Sequence, residues 1–188
     1  MGLINAQTFE SDPKAKKIIE KITEETKAYK TIIADFSFKM ENQQEDISEE
    51  FEGKVYVKGD KYHLTIMGTE TYSDGITIWT HMTEADELNI TNRDPEDDSF
   101  LNNPRKIFSI NEDEYKLKYI GEEEVGDEIL EKIELYPAKL DQGLNPGEGV
   151  ASELSKIVLL VVKSTNSIKE VAYYGKNGNV YTVILKEF

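Results

Sequence analysis

At 188 residues the chain is long enough for one domain with a sizeable core and leaves no room for a second of ordinary size. Its 22 basic and 37 acidic residues give a formal charge of −15, a field that repels phosphate backbones and anionic head groups and so argues against a nucleic-acid partner or stable membrane insertion. The lack of cysteine removes disulfides, thiolate nucleophiles and cysteine-ligated metals together, and no apolar run approaches the roughly 20 residues a membrane helix needs.

The opening residues read M-G-L-I-N-A-Q. Ile4-Asn5-Ala6 has the form of the end of an export signal, with Ala6 as the small residue before the cut and Met1 and Gly2 as additions ahead of it. Residues 1–7 are therefore set apart from a single domain over 8–188. Asp12-Pro13 is an N-cap followed by proline at the first helical position, and Ala15, Ile18, Ile19, Ile22 and Tyr29 recur at helical spacing. A helix over 13–29 is predicted, with a charged outer face, lying on a body as a cover or flank.

From Thr31 the period changes to two. Ile32, Ala34, Phe36, Phe38 and Met40 share one side of a strand; Phe51, Gly53, Val55 and Val57 follow on the next, and beyond the Gly59-Asp60 turn come Tyr62, Leu64 and Ile66. Ser73-Asp74-Gly75 marks a turn before a strand over 76–82, and a short strand over 87–92 comes after it. Further strands are read over 114–121, 128–136, 156–163, 167–174 and 179–188, the last pair joined by Asn177-Gly178. Roughly nine or ten strands after one helix, without βαβ alternation, define a mainly β chain with helices (α+β): a large curved antiparallel sheet or barrel.

Two stretches interrupt the meander. An acidic loop from Asp94 leads to Asn103-Pro104, a second cap and first-turn pair opening a short helix through Ile107 and Phe108. The Gly- and Pro-punctuated stretch from Pro137 to Ser155 is longer than ordinary loops and reads as a flap or as surface.

Catalytic and metal patterns do not emerge. His63 and His81 lie among alternating strand residues with no H-E-x-x-H or related spacing, and are read as surface or packing residues. Asp94, Glu96, Asp97 and Asp98 lack the order of a calcium loop. The run from Glu41 to Glu52 has no positive charge and is either a solvated hairpin tip or a docking surface for a basic partner. No nucleophile elbow or phosphate loop is present, so the residues nominate neither an enzyme nor a cofactor. The ample apolar side of the sheet has two solutions: it fills a closed barrel, or it lines a half-open sheet under helical covers, leaving a cavity for a hydrophobic ligand.

The segment from Gly53 to Asn92, with S-D-G-x-x-x-W at Ser73, Asp74, Gly75 and Trp79, resembles the periplasmic outer-membrane lipoprotein carrier family (LolA-like). The F-S-F strand at 36–38, N-P-R-K-I-F at 103–108 and the closing N-G-N-V-Y-T hairpin extend the likeness. The resemblance implies an incomplete antiparallel β-barrel with a helical lid over an apolar cavity, and a monomeric, exported periplasmic protein. It implies a carrier that takes the acyl chains of lipoproteins from an inner-membrane releasing complex toward an outer-membrane acceptor. The lining expected on that basis is Phe36, Phe38, Met40, Val55, Val57, Tyr62, Leu64, Ile66, Ile78 and Trp79, with Ile107 and Phe108 from the lid; for Trp79, packing outside the cavity is an equal alternative. A carrier of glycolipid or another lipid on the same scaffold, or an interaction module with a filled barrel, are the alternatives. Where the family has an arginine followed by proline after the second strand, this chain has Gly59 and Asp60, so that arginine's role in lid closure does not transfer. The 137–155 stretch also departs from compact members, and the chain stops directly after a strand where such carriers continue.

Overall fold

The computed structural model describes residues 10–94, 100–108, 110, 114–138 and 154–187. One helix, α1 (Pro13–Ala28), precedes eleven strands: β1 (Ile32–Asn42), β2 (Ile47–Lys58), β3 (Lys61–Ile66), β4 (Thr69–Ser73), β5 (Thr77–Met82), β6 (Glu87–Asn92), β7 (Tyr115–Val125), β8 (Glu128–Pro137), β9 (Leu154–Val162), β10 (Ser167–Gly175) and β11 (Asn179–Glu187). They form one antiparallel sheet in the order β6-β5-β4-β3-β2-β1-β11-β10-β9-β8-β7, whose ends β6 and β7 are not paired with each other. Leu117 of β7 and Ile66 of β3 nevertheless belong to one buried cluster with α1, which requires the sheet to curl around a shared core. The result is an incomplete barrel with a helix across its concave side.

Local chemistry accounts for the elements. The Asp12 carboxylate accepts from the backbone N–H groups of Lys14 (2.7 Å) and Ala15 (3.4 Å), capping α1 ahead of Pro13. Ala15, Ile18, Ile19 and Ile22 are buried, whereas Tyr29, read from spacing as part of that stripe, lies past the helix end and is half exposed. At the β4–β5 turn Gly75 takes a φ of 99°, and a Cβ there would sit 2.9 Å from that of Asp60, so a side chain is disfavoured twice over.

The strand count exceeds expectation because β4, T-E-T-Y-S, faces Thr71 and Ser73 inward; with no apolar inner position it leaves no hydrophobic period. The helix foreseen at Asn103-Pro104 is a single 3₁₀ turn, Pro104–Phe108. Most of the 137–155 stretch and of the acidic loop after Asp94, and the export-signal residues, lie outside the described residues. The acidic run at 41–52 is spread along β1 and β2. Glu50 meets Lys39 at 3.6 Å, and Glu52 accepts from Lys186 (2.6 Å) and Ser37 (3.0 Å), which neutralises part of the charge that suggested a docking surface.

Candidate functional site

The concave face is built by alternation. Across β1, β2 and β3 the antiparallel register sets Ala34 opposite Val55 and Val55 opposite Leu64, with Phe36, Val57, Tyr62 and Ile66 on the same side. These residues share one buried cluster with Phe38, Ile107 and Phe108. Met40 packs at its margin, partly buried. Ile78 is buried but stands apart from that cluster. Trp79 requires a correction: it pairs with Tyr72 and Ile90, both exposed, on the convex side. Neighbouring strand residues point to opposite faces, so Ile78 and Trp79 cannot both line one interior.

Gly53 owes its place to Phe36. A Cβ at residue 53 would lie 2.4 Å from the Phe36 ring and 2.9 Å from the Thr65 carbonyl oxygen, so the aromatic floor lies directly on the β2 backbone.

Two pieces cover this floor. The first is the segment 100–108. Phe100 meets Phe36 edge-on at 4.9 Å between centroids and stacks on Phe38 at 6.4 Å, contacts of the kind worth about 0.5–1.5 kcal/mol beyond burial. Sequence reasoning passed over Phe100 because it follows an acidic, proline-containing stretch with no periodicity. Polar ties hold the same segment: the Tyr62 hydroxyl donates to the Asn102 carbonyl (3.1 Å), Arg93 donates to Asn103 Oδ1 (3.5 Å), and Arg105 pairs with Asp60.

The second cover, α1, is rooted at one end. Asp12 N–H donates to the Leu117 carbonyl (2.8 Å), Leu117 N–H donates to Ser11 Oγ (3.1 Å), and the Lys14 ammonium lies over the Tyr119 ring, 3.3 Å from Glu131 and 3.6 Å from Glu122. The Tyr119 hydroxyl first, and then the Glu131 carboxylate, hold the Lys14 ammonium up to about 12, against partial desolvation. Lys163 is the chief reason the Glu122 carboxyl lies below its usual value. At the far end, Ile22, Tyr29, Phe108 and Ile168 border a crevice of about 20 Å³, bridged by Asn166 donating to Glu25 (3.0 Å). That is space for about one water.

In this arrangement the floor is shut. Phe36, Val55 and Leu64 are at most 1% exposed. Thr23 Oγ1 and Asn103 Nδ2 are buried without a hydrogen-bond partner among the described residues, one on each covering piece; such orphans cost about 1–3 kcal/mol apiece.

His63 is on the convex face between the rings of Tyr56 (5.7 Å) and Tyr72 (4.2 Å), and His81 contacts Asp86 at 3.2 Å. Among the described residues no three histidine or carboxylate side chains gather as a metal site, and no helix is long and apolar enough to cross a membrane.

An open half-barrel with a helix over its concave face is the architecture that the sequence resemblance implied. Among solved structures, the lipoprotein LppX of Mycobacterium tuberculosis aligns at 12% identity and a TM-score of 0.52, over 94% of this chain and 95% of that one. LprF of Mycobacterium bovis aligns at 12% and 0.52, over 95% and 94%. A DUF1329 family protein of Desulfovibrio piger gives 14% and 0.50, over 95% and 92%. At such identities the likeness bears on the fold. No family model and no curated protein matches the sequence.

Proposed function

We propose that the protein is a non-enzymatic carrier that takes up the acyl chains of a lipoprotein beneath its lid and moves them through the periplasm toward the outer membrane. The observation that supports this most is the division of labour on the concave face: the apolar floor belongs to the sheet, and its cover belongs to two pieces outside the sheet. α1 is fastened at its N-terminus and borders a crevice at its C-terminus. The 100–108 segment is held by polar ties that include Tyr62 to Asn102 and Arg105 to Asp60, and by aromatic contacts. Both pieces carry a buried polar atom left unpartnered when closed.

Magnitudes favour exchange. Ile18, Ile19, Ile22, Phe100, Ile107 and Phe108 are the large buried apolar side chains of the cover among the described residues; at roughly 2 kcal/mol each, exposing them costs on the order of 12 kcal/mol. A buried acyl chain of about 15 methylenes at ~0.8 kcal/mol each returns a similar amount. Lid and lipid then compete for the same surface near balance, and cargo is released as readily as it is taken.

The closed floor also supports a second reading, an interaction module whose filled half-barrel never opens. Native mass spectrometry of the purified protein, with transfer of an acylated lipoprotein from detergent or membrane, separates the two. Retained lipid of lipoprotein type supports the carrier, free lipid or glycolipid alone shifts the cargo, and a bare protein that accepts nothing supports the module.

A further inference from the structure

The inner surface of the half-barrel changes character along the sheet. On β1, β2 and β3 the inward side chains include Phe36, Val55 and Leu64, none more than 1% exposed. Cross-strand register carries the same face onto β4, β5 and β6: Leu64 stands opposite Thr71, Thr71 opposite Thr80, and Thr80 opposite Asn89. The neighbouring inward row runs Tyr62, Ser73, Ile78, Thr91. Hydroxyl and amide groups thus replace hydrocarbon at most inward positions of this wing, and the Thr71 and Thr80 hydroxyls meet at 3.5 Å. A wing that only filled the core would be served better by hydrocarbon.

The polar wing ends on a cation. Arg93 N–H donates to the Ile76 carbonyl (2.7 Å), which extends the β5–β6 ladder by one pair, so its side chain shares the inward side of Asn89 and Thr91. That side chain is partly buried and makes two long contacts, to the Gly75 carbonyl and to Asn103 Oδ1, each at 3.5 Å. Both acceptors are neutral, and Arg93 has no ion pair among the described residues. At the adjoining turns Asp60 is engaged by Arg105, and Asp74 by the N–H groups of Ile76 and Thr77; Asp94, next in the chain, is exposed. Glu87, the acidic inward residue of β6, stands at the other end of that strand, about 20 Å away. A guanidinium carries five donors and keeps its charge, so Arg93 retains both donor capacity and charge that the chain does not compensate.

Asn103 supplies an independent sign of a ligand. It is 3% exposed, and its Nδ2 is buried with no hydrogen-bond partner among the described residues. Its Oδ1 accepts from Arg93, which fixes the amide orientation and puts Nδ2 within about 6 Å of the guanidinium, given an amide O to N separation of roughly 2.3 Å. Two N–H···O contacts of about 2.9 Å span that gap through one oxygen, or through two oxygens of one group. We infer, resting on the carrier reading above, that Arg93 and Asn103 form an oxyanion subsite at the polar end of the concave face, which takes a phosphate or carboxylate adjoining the acyl chains of the cargo. The chains then lie on the floor at β1 to β3, and the linkage between chain and head meets the hydroxyls of β4 and β5. Hydrogen bonds to an ionised partner are about twice as strong as neutral ones. The −15 of the whole chain opposes anions, but at roughly 0.15 M salt that repulsion is screened beyond about 8 Å, whereas a contact at a half-buried guanidinium is screened much less.

Arg93 and Arg105 are the arginines of this chain, so its arginine Nε–H NMR signals report on each separately. Dihexanoylphosphatidylglycerol, neutral dihexanoylglycerol and inorganic phosphate are titrated in turn into the full chain at about 0.15 M salt. The expected result is a shift of the Arg93 Nε–H and Asn103 side-chain amide signals with the phospholipid, and an affinity for it about tenfold or more above that for dihexanoylglycerol. Arg93→Gln and, independently, Asn103→Asp, which supplies Arg93 with a carboxylate from within the chain, are each expected to bring the two lipids to equal affinity. The same shifts with inorganic phosphate alone, and no preference between the lipids, support the subsite and assign it to the free anion. Equal binding of the two lipids by the wild type, with no shift from phosphate, overturns the subsite and leaves the carrier reading standing. Binding of neither lipid removes the carrier reading, and the subsite then stands or falls on whether phosphate alone moves the Arg93 and Asn103 signals. A preference that survives both substitutions, or a shift at Arg105 in place of Arg93, overturns the subsite.

Discussion

Arg105, on the 3₁₀ turn that covers the apolar floor, pairs with Asp60 in the turn between β2 and β3. In this pair the cation comes from the cover and the anion from the body. Both side chains are substantially exposed, and pairs of that kind contribute about 1 kcal/mol or less. Asp60→Asn is therefore expected to leave the melting temperature almost unchanged while raising the rate of uptake of a fluorescent fatty acid. An unchanged rate removes this pair from any part in lid opening.

Charge at the floor is expected to be decisive. Ile66→Glu puts a carboxylate among buried apolar side chains, costing several kcal/mol or forcing protonation, and is expected to abolish acyl-chain uptake. Thr65→Glu, one residue along on the exposed opposite face, is expected to leave both uptake and melting close to wild type. Uptake by a folded Ile66→Glu variant places the lipid on another surface.

Gly53→Ala tests the packing of the floor. With the new methyl 2.4 Å from the Phe36 ring and 2.9 Å from a backbone oxygen, ring and strand must both shift, at a cost of about 1–3 kcal/mol by denaturant titration. A neutral result shows that Phe36 moves freely.

The root of α1 has a defined pH window. Lys14 is raised from 10.5 to about 12, so its contribution is complete below 10.5 and lost as pH rises through 12. Glu122 is lowered from 4.5, first by Lys163 and also by Lys14; its contribution is present above 4.5 and lost as pH falls through the depressed value. Hydrogen exchange at the first turns of α1, corrected for intrinsic rate, is expected to be flat between these limits and to accelerate outside them. Acceleration near pH 7 contradicts the assignment of these groups to the helix root.

The fold was legible wherever one face of a strand was apolar and the other polar, as in β1, β2 and β3, because period-two alternation and half-burial are one fact seen twice. It failed at β4, whose inner positions are Thr71 and Ser73, and left Ile78-Trp79 in β5 open, where adjacent apolar residues leave parity undefined and the structure puts Trp79 on the convex face. The cover was half legible. Caps at Asp12-Pro13 and Asn103-Pro104 announced both pieces, but the contacts of Phe100 with Phe36 and of Arg105 with Asp60 join residues far apart in sequence. No local pattern records such contacts.

The central claim is that the cover and an acyl chain compete for one apolar floor, and the most direct measurement is native mass spectrometry of the protein as purified from an exporting host, repeated after incubation with an acylated lipoprotein. The account predicts a mass excess that releases as lipid on activation and a complex with the acylated protein that its unacylated form does not make. A bare chain in both experiments, with α1 equally protected from hydrogen exchange whether or not lipid is supplied, contradicts it.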